Sequence, residues 1–290
     1  MKTFSMPVSG AKSGLIPCNY CGGLIFKPAL ECEGFNFVRC KKCGLVQRNP
    51  QPVKEEIIAR YSKTFGDDYL KYELENEAAF LKLQQLALQD AGFYKIEKAI
   101  FLRAGGEQRG EQPSVLDIGC ATGALIASLR DRGWRVTGVE ISPCAVYAQK
   151  ERGLDVRNIP LEEANFPKES FDAVLASHLV EHLNDPRSFF EEVHRILKKD
   201  GYIFITTPNI SGLQARLFGG KWRSAIFDHL YLFSKSTLLK MLKTCGFKPE
   251  GVYTWGGLAV GASPIWLKKP ADILAKRLGF GDVMIIRAVR

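Results

Sequence analysis

Residues 115–123, VLDIGCATG, constrain the fold of this 290-residue chain more than any other segment. Their apolar first half suits a buried parallel strand, and Gly119 then lets the backbone turn where a side chain would clash. Apolar residues at helical spacing follow. A second strand-like segment, residues 135–139, ends at Glu140, whose carboxylate could accept both hydroxyls of a ribose. The segment therefore predicts a strand, a glycine turn and a helix at a nucleotide-type cofactor site.

The composition of the turn distinguishes between two kinds of cofactor. It lacks the G-x-G-x-x-G pattern with which dinucleotide-binding folds hold a pyrophosphate. Ala121 and Gly123 keep the turn thin, so that a ligand can approach main-chain N–H groups. Asp117 lies just before Gly119 and could help to hold the ammonium group of an amino acid. These features favour S-adenosylmethionine over a nicotinamide cofactor, and a tight strand-to-helix connection without a ligand is the alternative.

Four further segments extend the pattern over residues 114–290. They are VEIS, SFDAVLASHLVEHLNDP, RILKKDGYIFITTPN and HLYLFSKSTLLKMLKTCGF, in this order. Together with VLDIGCATG they resemble class I S-adenosylmethionine-dependent methyltransferases, and most closely the branch that includes the ubiquinone-pathway O-methyltransferases. The resemblance implies a Rossmann-like α/β fold, in which a mostly parallel seven-stranded sheet carries helices on both faces.

The resemblance also implies which residues surround S-adenosyl-L-methionine. We expect cofactor contacts from Asp117, Gly119, Cys120, Ala121, Gly123, Glu140, Ile141, Leu161, Glu162 and Ser177. Two positions depart from the family pattern. Ala121 replaces the second glycine of the turn, and residues 159–161, Ile-Pro-Leu, stand where an acidic residue often contacts adenine.

Four cysteines near the start of the chain have the spacing of a zinc ribbon. They form two matched CxxCG units, Cys18 with Cys21 and Cys40 with Cys43. Four thiolates can form a tetrahedral metal site. A segment of about 30 residues has too small a hydrophobic core to fold without such a cross-link. The spacing predicts a structural zinc ion, with Cys32 as a substitute ligand and two disulfides as the alternative.

The ribbon is expected to serve packing, dimerisation or acceptor docking, because four cysteines leave no open coordination position for catalysis. Contact with nucleic acid is disfavoured, since only Phe35 and Phe37 could form a stacking platform. We also expect the ribbon to have a core separate from that of the cofactor domain.

The chain divides into four predicted parts: a flexible tail (1–16), the ribbon (17–50), a helical linker and cofactor lid (51–113) and the cofactor domain (114–290). The linker carries four aromatic residues, Tyr61, Phe65, Tyr69 and Tyr72, and the resembled family often lays such a helix over the cofactor. Ordinary helix packing is the alternative. No signal peptide or membrane-spanning segment is visible, so we expect a cytoplasmic protein.

Three of the four histidines follow or face the predicted fourth strand. His178, Glu181 and His182 are spaced i, i+3 and i+4, which would align them on one side of a helix. Some relatives bind a divalent ion through an acid, a Glu–His pair and a later histidine, and this chain offers His178, Glu181, His182 and His229 at matching positions. His178 replaces the usual acid, which would favour a softer metal such as zinc.

We therefore expect His178, His182 and His229 to be catalytic, either with a second divalent ion or with His178 as a metal-free base. A purely structural role is the third alternative. The implied reaction is methyl transfer, with a hydroxyl oxygen of a small metabolite or glycan-type acceptor preferred. C-methylation of a sugar or secondary metabolite and a non-enzymatic assembly role remain as alternatives.

The charge distribution bears on the acceptor. Residues 197–290 contain 15 Lys and Arg against 5 Asp and Glu, whereas the whole chain has a net charge of only +9. This basic C-terminal third favours an anionic acceptor, an acidic carrier or a phospholipid surface. A solvated basic surface without a partner is equally consistent with the sequence.

Overall fold

The computed structural model describes residues 16–61, 66–104, 112–257, 270, 272–273, 275–276 and 278–290. Phe65 and nearly all of the expected N-terminal tail lie outside these residues. The described strands are β1 (Phe26–Cys32), β2 (Phe35–Cys40), β3 (Val46–Arg48), β4 (Ser114–Ile118), β5 (Arg135–Val139), β6 (Val156–Arg157), β7 (Phe171–Ser177), β8 (Leu197–Pro208), β9 (Tyr231–Leu232), β10 (Lys248–Trp255) and β11 (Val283–Val289). The described helices are α1 (Lys54–Ala59), α2 (Gly66–Asp90), α3 (Phe93–Arg103), α4 (Ala124–Arg130), α5 (Cys144–Arg152), α6 (Pro186–Ile196), α7 (Leu213–Phe218) and α8 (Lys235–Thr244).

Seven strands form the larger sheet, in the order β10-β11-β8-β7-β4-β5-β6. The neighbours from β8 to β6 pair in parallel, whereas β11 is antiparallel to both β8 and β10. All five residues of β4, an interior strand between β7 and β5, are buried. The expected mostly parallel, seven-stranded α/β sheet is confirmed.

Both faces of this sheet are covered, because successive side chains of a strand point to opposite faces. Val115 of β4 packs with Phe93 of α3 and Leu129 of α4 on one face. Leu116, its neighbour, belongs to the cluster on the other face together with Phe190 of α6 and Met241 of α8. Each fully buried side chain of this size contributes about 1.5 to 3 kcal/mol to folding.

The sequence of α6 explains why this segment forms a helix on the face of the sheet. Its apolar side chains Phe189, Phe190, Val193 and Ile196 recur at helical spacing and are buried. Pro186 occupies the first turn, and the Asp185 carboxylate accepts a hydrogen bond from the Ser188 amide as an N-cap.

The ribbon does not have a core of its own, so the expectation of separate cores is wrong. Strand β3 pairs with β9, which makes a four-stranded antiparallel sheet of order β1-β2-β3-β9. Cys18, Cys40 and Leu45 belong to the same buried cluster as Phe233 and Leu238 of the larger domain. The ribbon is too small to enclose Leu45 by itself, and the larger domain supplies the missing apolar surface.

In the described part of the chain, no helix combines the length and the apolar composition needed to cross a bilayer.

Candidate active site

The turn after β4 has the backbone conformation that the sequence predicts. Gly119 and Gly123 both have a φ of 76°. A Cβ atom on Gly123 would lie 2.6 Å from Cδ1 of Leu154, so a side chain does not fit there. Ala121, which replaces a family glycine, also has a positive φ of 46°. This left-handed conformation costs an alanine about 1 to 2 kcal/mol that glycine would not lose.

Glu140 is held by backbone amides at the end of β5. One carboxylate oxygen accepts from the Ala121 amide at 3.0 Å, and the other accepts from the Ser142 amide at 2.8 Å. The side-chain amide of Asn158 donates to the Glu140 carbonyl at 2.7 Å. Sequence reasoning missed Asn158, although its place just after β6 was a usable signal. The Glu140 carboxylate is therefore fixed beside the glycine turn.

Asp117 lies on β4, the strand beside β5. It is buried, and this burial together with the negative charge of Glu140 raises its pKa to about 7. Two carboxylates at neighbouring strands form an environment that a cation would stabilise. The ammonium and sulfonium groups of S-adenosylmethionine fit this requirement.

The other expected cofactor residues differ in position. The Cys120 side chain packs with Ile126, and burial raises the pKa of its thiol. Leu161 begins a short 3₁₀ helix and packs in the core, whereas the adjacent Glu162 is exposed and pairs with Lys54 at 3.1 Å. Ile141 and Ser177 are partly exposed at the ends of β5 and β7.

Helix α2 lies against the glycine turn. Thr122, in the turn, donates to the Glu77 carboxylate at 2.5 Å, and Arg152 donates to the same carboxylate at 2.6 Å. Burial raises the pKa of Glu73, one turn earlier, to about 6. Helix α2 thus brings the acidic side chains of Glu73 and Glu77 close to the glycine turn and Glu140.

The linker aromatics do not share one environment. The rings of Tyr61 and Tyr69 meet edge to face at 6.0 Å, and the Tyr61 hydroxyl lies 3.1 Å from Nδ1 of His182. Tyr72 is 48% exposed and packs against Phe80 instead.

A second group of polar side chains lies beyond the ends of β7 and β8. The ligand atoms of Glu181, His182 and His229 all lie within 4.8 Å of one another. The buried Glu181 carboxylate accepts from the Thr207 hydroxyl at 3.0 Å, and its other oxygen lies 3.2 Å from Nδ1 of His178. Burial opposes ionisation of Glu181, but the hydrogen bond from His178 and the three nearby imidazoles lower its pKa to about 2.

Backbone carbonyls face Nδ1 of both His182 and His229. Nδ1 of His182 lies 3.0 Å from the Asp228 oxygen, and Nδ1 of His229 lies 2.7 Å from the Ser224 oxygen. A carbonyl can only accept, so each of these oxygens favours a proton on the facing Nδ1 and a free lone pair on Nε2. The Tyr61 hydroxyl, 3.1 Å from Nδ1 of His182, favours the opposite tautomer of that ring when it donates. Burial and the neighbouring His182 lower the pKa of His229 to about 3, which keeps that ring neutral. The set of one carboxylate and two imidazoles fits a divalent metal ion.

The prediction that His178, Glu181 and His182 lie on a helix is wrong. Residues 178–182 form a turn, in which His178 has a left-handed φ of 51°. The Glu181 carbonyl accepts from the amides of Leu230 and Tyr231, so pairing with a distant segment replaces the helical hydrogen bonds. This pairing brings His229 to the Glu–His pair, while His178 stays outside the three-residue group with its side chain 50% exposed.

The four ribbon cysteines also converge. Their sulfur atoms lie within 4.8 Å of one another, with 3.4 Å between Cys18 and Cys43 and 3.5 Å between Cys21 and Cys40. Although burial opposes it, the amides of Cys43 and Lys42 lower the pKa of Cys40 to about 7. Cys32 packs in another cluster, on β1. The four converging sulfurs have the composition of a closed, structural zinc site.

Comparison with known proteins agrees with this geometry. A family model described as "Methyltransferase domain" matches residues 87–251. The chain is 38% identical over 102 residues to a ubiquinone biosynthesis O-methyltransferase of Pseudomonas aeruginosa, which covers 33% of this chain and 44% of that protein. It is 36% identical over 115 residues to the protein of the same name from Acinetobacter baumannii, covering 37% of this chain and 47% of that protein. The chain thus spans less than half the length of these curated relatives.

Solved structures with similar folds include one archaeal and one bacterial protein. One is a SAM-dependent methyltransferase from Archaeoglobus fulgidus, with 22% identity, a TM-score of 0.47 and coverage of 68% of this chain and 94% of that chain. The other, from Thermotoga maritima, is described as a possible histamine N-methyltransferase, with 22% identity, a TM-score of 0.48 and coverage of 73% and 96%. Because the family model covers more than half of its residues, the chain belongs to the methyltransferase domain family, and it resembles the class I S-adenosylmethionine-dependent branch.

Proposed function

We propose that this chain transfers the methyl group of S-adenosylmethionine to a hydroxyl oxygen of a small metabolite or glycan-type acceptor. The observation that carries the proposal is the order of the strands. The cofactor turn and Glu140 follow β4 and β5, and the cluster of Glu181, His182 and His229 lies beyond β7 and β8 at the same edge of the sheet. Open α/β sheets bind their ligands at this edge. The names of the curated relatives support an oxygen acceptor.

We assign the cofactor to the amides and carboxylates around the glycine turn. Glu140 would accept the ribose hydroxyls with the lone pairs that Ala121 and Ser142 leave open. Asp117 would attract the ammonium group. Ile141, Leu161 and Glu162 would lie near adenine, and Gly119, Cys120 and Gly123 would contribute main-chain atoms. Ser177 would lie between the cofactor and the acceptor.

Helix α2 would act as a cover over this site. Its Glu77 contacts Thr122 of the turn, and Tyr69 lies near Glu140, whose charge together with burial raises the pKa of this tyrosine. Exclusion of water by such a cover strengthens the electrostatic interactions inside.

In the reaction, the acceptor oxygen attacks the methyl carbon in line with the carbon–sulfur bond. The new oxygen–carbon bond forms while the carbon–sulfur bond breaks, and its electron pair stays on sulfur. The hydroxyl proton must leave as this happens. Alignment and desolvation supply most of the acceleration in such a displacement.

We assign the activation of the hydroxyl to the histidine cluster. Glu181, His182 and His229 would hold a divalent ion, which lowers the pKa of a bound hydroxyl. Thr207 and the carbonyls of Asp228 and Ser224 keep these side chains in place. His178 is half exposed and contacts Glu181, so it is the candidate proton acceptor in a reaction with or without the ion.

The surface after β8 supports an acceptor that is anionic and partly apolar. Arg216, Lys221 and Arg223 are exposed there, next to the exposed Leu217 and Phe218. The segment from residue 209 to residue 227 contains no acidic residue, and among the residues that the structure describes only its Arg223 is paired with an acid from outside it, the buried Asp282 at 2.5 Å. Arg216 and Lys221 therefore supply most of the accessible positive charge. A carrier-bound acceptor of this chemistry would meet complementary charge on its way to the site.

We further assign a structural zinc ion to Cys18, Cys21, Cys40 and Cys43. The amide of Leu45 lies 3.5 Å from the Cys43 sulfur, as expected for a cysteine turn that directs amides at a metal-bound thiolate.

The experiment is methyl transfer from deuterium-labelled S-adenosylmethionine to a panel of phenolic, sugar and carrier-linked hydroxyl compounds. The proposal predicts an O–CD₃ product, identified by ²H NMR. A labelled methyl group on carbon would replace it with C-methylation. Cofactor binding without turnover on any acceptor would favour a non-enzymatic assembly role.

A further inference from the structure

The ring of Phe227 lies between two guanidinium groups. The Cζ atom of Arg48, from the ribbon, is 3.8 Å from the ring centroid, and that of Arg60 is 4.6 Å from it. Arg48 also donates to the Phe227 carbonyl at 2.9 Å. The Phe35 ring meets Phe227 edge to face at 5.7 Å. Phe227 is therefore held by cations on its ring and by a hydrogen bond on its backbone.

This arrangement fixes the segment that carries the histidine partners. Asp228, the next residue, forms an ion pair with Arg60, and its carbonyl accepts from Nδ1 of His182. His229 follows directly. The Arg48 amide donates to the Leu230 carbonyl at 2.8 Å, so both ends of this short segment are tied to Arg48.

The electrostatics argue against a purely packing role for Arg48. Burial and the nearby positive charge of Arg60 lower the pKa of Arg48 to about 10, with Asp228 and Glu56 acting in the opposite direction. Two cations thus share one partly enclosed aromatic ring. An apolar side chain would fill the same space without desolvating a charge or repelling Arg60.

We propose that Arg48 is a positioning residue for the acceptor side of the active site, by which we mean the cluster of Glu181, His182 and His229. By holding Phe227, it keeps the Asp228 carbonyl 3.0 Å from Nδ1 of His182, where the carbonyl favours the tautomer with its proton on Nδ1 and a free lone pair on Nε2. The catalytic meaning of this inference rests on the proposed function. Its structural consequence is that the four-cysteine ribbon holds the segment that carries His229.

The tautomer of His182 provides a direct test, because the whole chain has only four histidines. Long-range ¹H–¹⁵N NMR of the full chain distinguishes Nδ1–H from Nε2–H imidazoles and needs neither cofactor nor acceptor. The variants are Arg48→Met and Phe227→Leu, and the matched control is Lys42→Met, which removes an exposed cation from the same ribbon. Loss of one supporting interaction should change the ratio of the two His182 tautomers by about 5- to 30-fold.

We expect the wild type and Lys42→Met to show the Nδ1–H form, and Arg48→Met and Phe227→Leu to show a mixture. A wild-type tautomer ratio in both test variants would overturn the inference and leave Arg48 as a packing residue. If Arg48→Met does not fold, Arg48→Lys decides. It keeps the charge and one donor but loses the planar guanidinium, so an intermediate ratio is expected and an unchanged ratio would contradict the inference.

A second readout separates this inference from the proposed function. Binding of S-adenosylhomocysteine should be the same in Arg48→Met and in the wild type, because Arg48 does not contact the glycine turn or Glu140. Failure of the wild type to bind it would remove the proposed function while leaving the tautomer result valid. With an identified acceptor, Arg48→Met should lower kcat and leave the KM for the cofactor unchanged.

Discussion

Nδ1 of His182 lies 3.0 Å from the backbone oxygen of Asp228, a residue 46 positions further along the chain. The contact favours the Nδ1–H tautomer of His182 and brings His229 beside it, with ring centroids 4.7 Å apart. Glu181 meets the same two rings from a fully buried position. The acceptor side thus depends on a long-range backbone contact as much as on the residues that would bind a ligand.

A divalent ion at this cluster predicts that chelation abolishes methyl transfer while S-adenosylhomocysteine still binds. Added Zn²⁺, Mg²⁺ or Mn²⁺ should restore the rate. The fully ligated ribbon site should exchange more slowly, so a mild chelator should strip the cluster first. His182→Ala should then be inactive, with metal content of the ribbon unchanged in elemental analysis.

A metal-free reaction predicts a different pattern. His178→Ala should then lower the rate by about 10² to 10⁴, and neither chelation nor added metal should change the wild-type rate. A wild-type rate for His178→Ala, combined with full activity in chelator, would contradict both mechanisms. It would assign purely structural roles to His178, Glu181, His182 and His229.

Asp117 makes the stability and the ligand affinity depend on pH. Its pKa in the folded chain, about 7, lies above the ordinary value of 3.8, so the folded state favours the protonated form. The contribution to stability is present below pH 4 and is lost as the pH rises toward 7. Three pKa units correspond to at most about 4 kcal/mol. Asp117→Asn should therefore unfold at a higher temperature than the wild type at pH 8, and the difference should disappear near pH 4.

The same group predicts proton release when a cationic ligand binds. An ammonium group beside Asp117 would lower its pKa, so S-adenosylhomocysteine should bind more tightly as the pH rises from 6 to 8. Calorimetry in buffers with different ionisation enthalpies should detect the proton near pH 6.5. Asp117→Asn should release none, and an unchanged proton count in that variant would assign the proton to another group.

The cysteine cluster predicts one tightly bound zinc per chain and its loss in Cys40→Ser. Because β3 pairs with β9 and Leu45 lies in the shared core, this variant should unfold in one transition at a lower temperature. Cys32→Ser is the matched control, since Cys32 lies outside the cluster, and it should keep its zinc. Separate melting of the ribbon, with the larger domain unaffected, would show that the two units are independent.

The sequence was sufficient to predict the conformation of the glycine turn, because its determinants are local. Gly119 and Gly123 need positive φ values, and Glu140 follows the next strand at a distance that the βαβ geometry sets. The sequence pattern failed at residues 178–182, where helical spacing was misleading. There the Glu181 carbonyl pairs with the amides of Leu230 and Tyr231, about fifty residues away, and such pairing has no local signal.

The relation of the ribbon to the larger domain was also beyond the sequence. The CxxCG units predict the convergence of four thiols, but they do not show that β3 pairs with a strand some 180 residues later. Arg48 gave no signal either, since a single arginine at the end of a strand is ordinary. Its significance comes only from Phe227 and Arg60, which the fold brings to its side.

The most direct test of the central claim is calorimetric titration of the purified chain with S-adenosylhomocysteine and, separately, with NAD⁺. The account predicts micromolar binding of S-adenosylhomocysteine, weakened by about 1 to 3 kcal/mol in Glu140→Ala through loss of charge-assisted hydrogen bonds to the ribose. Glu151→Ala, which removes an exposed carboxylate from α5, should bind like the wild type. Tighter binding of NAD⁺ than of S-adenosylhomocysteine would contradict the account.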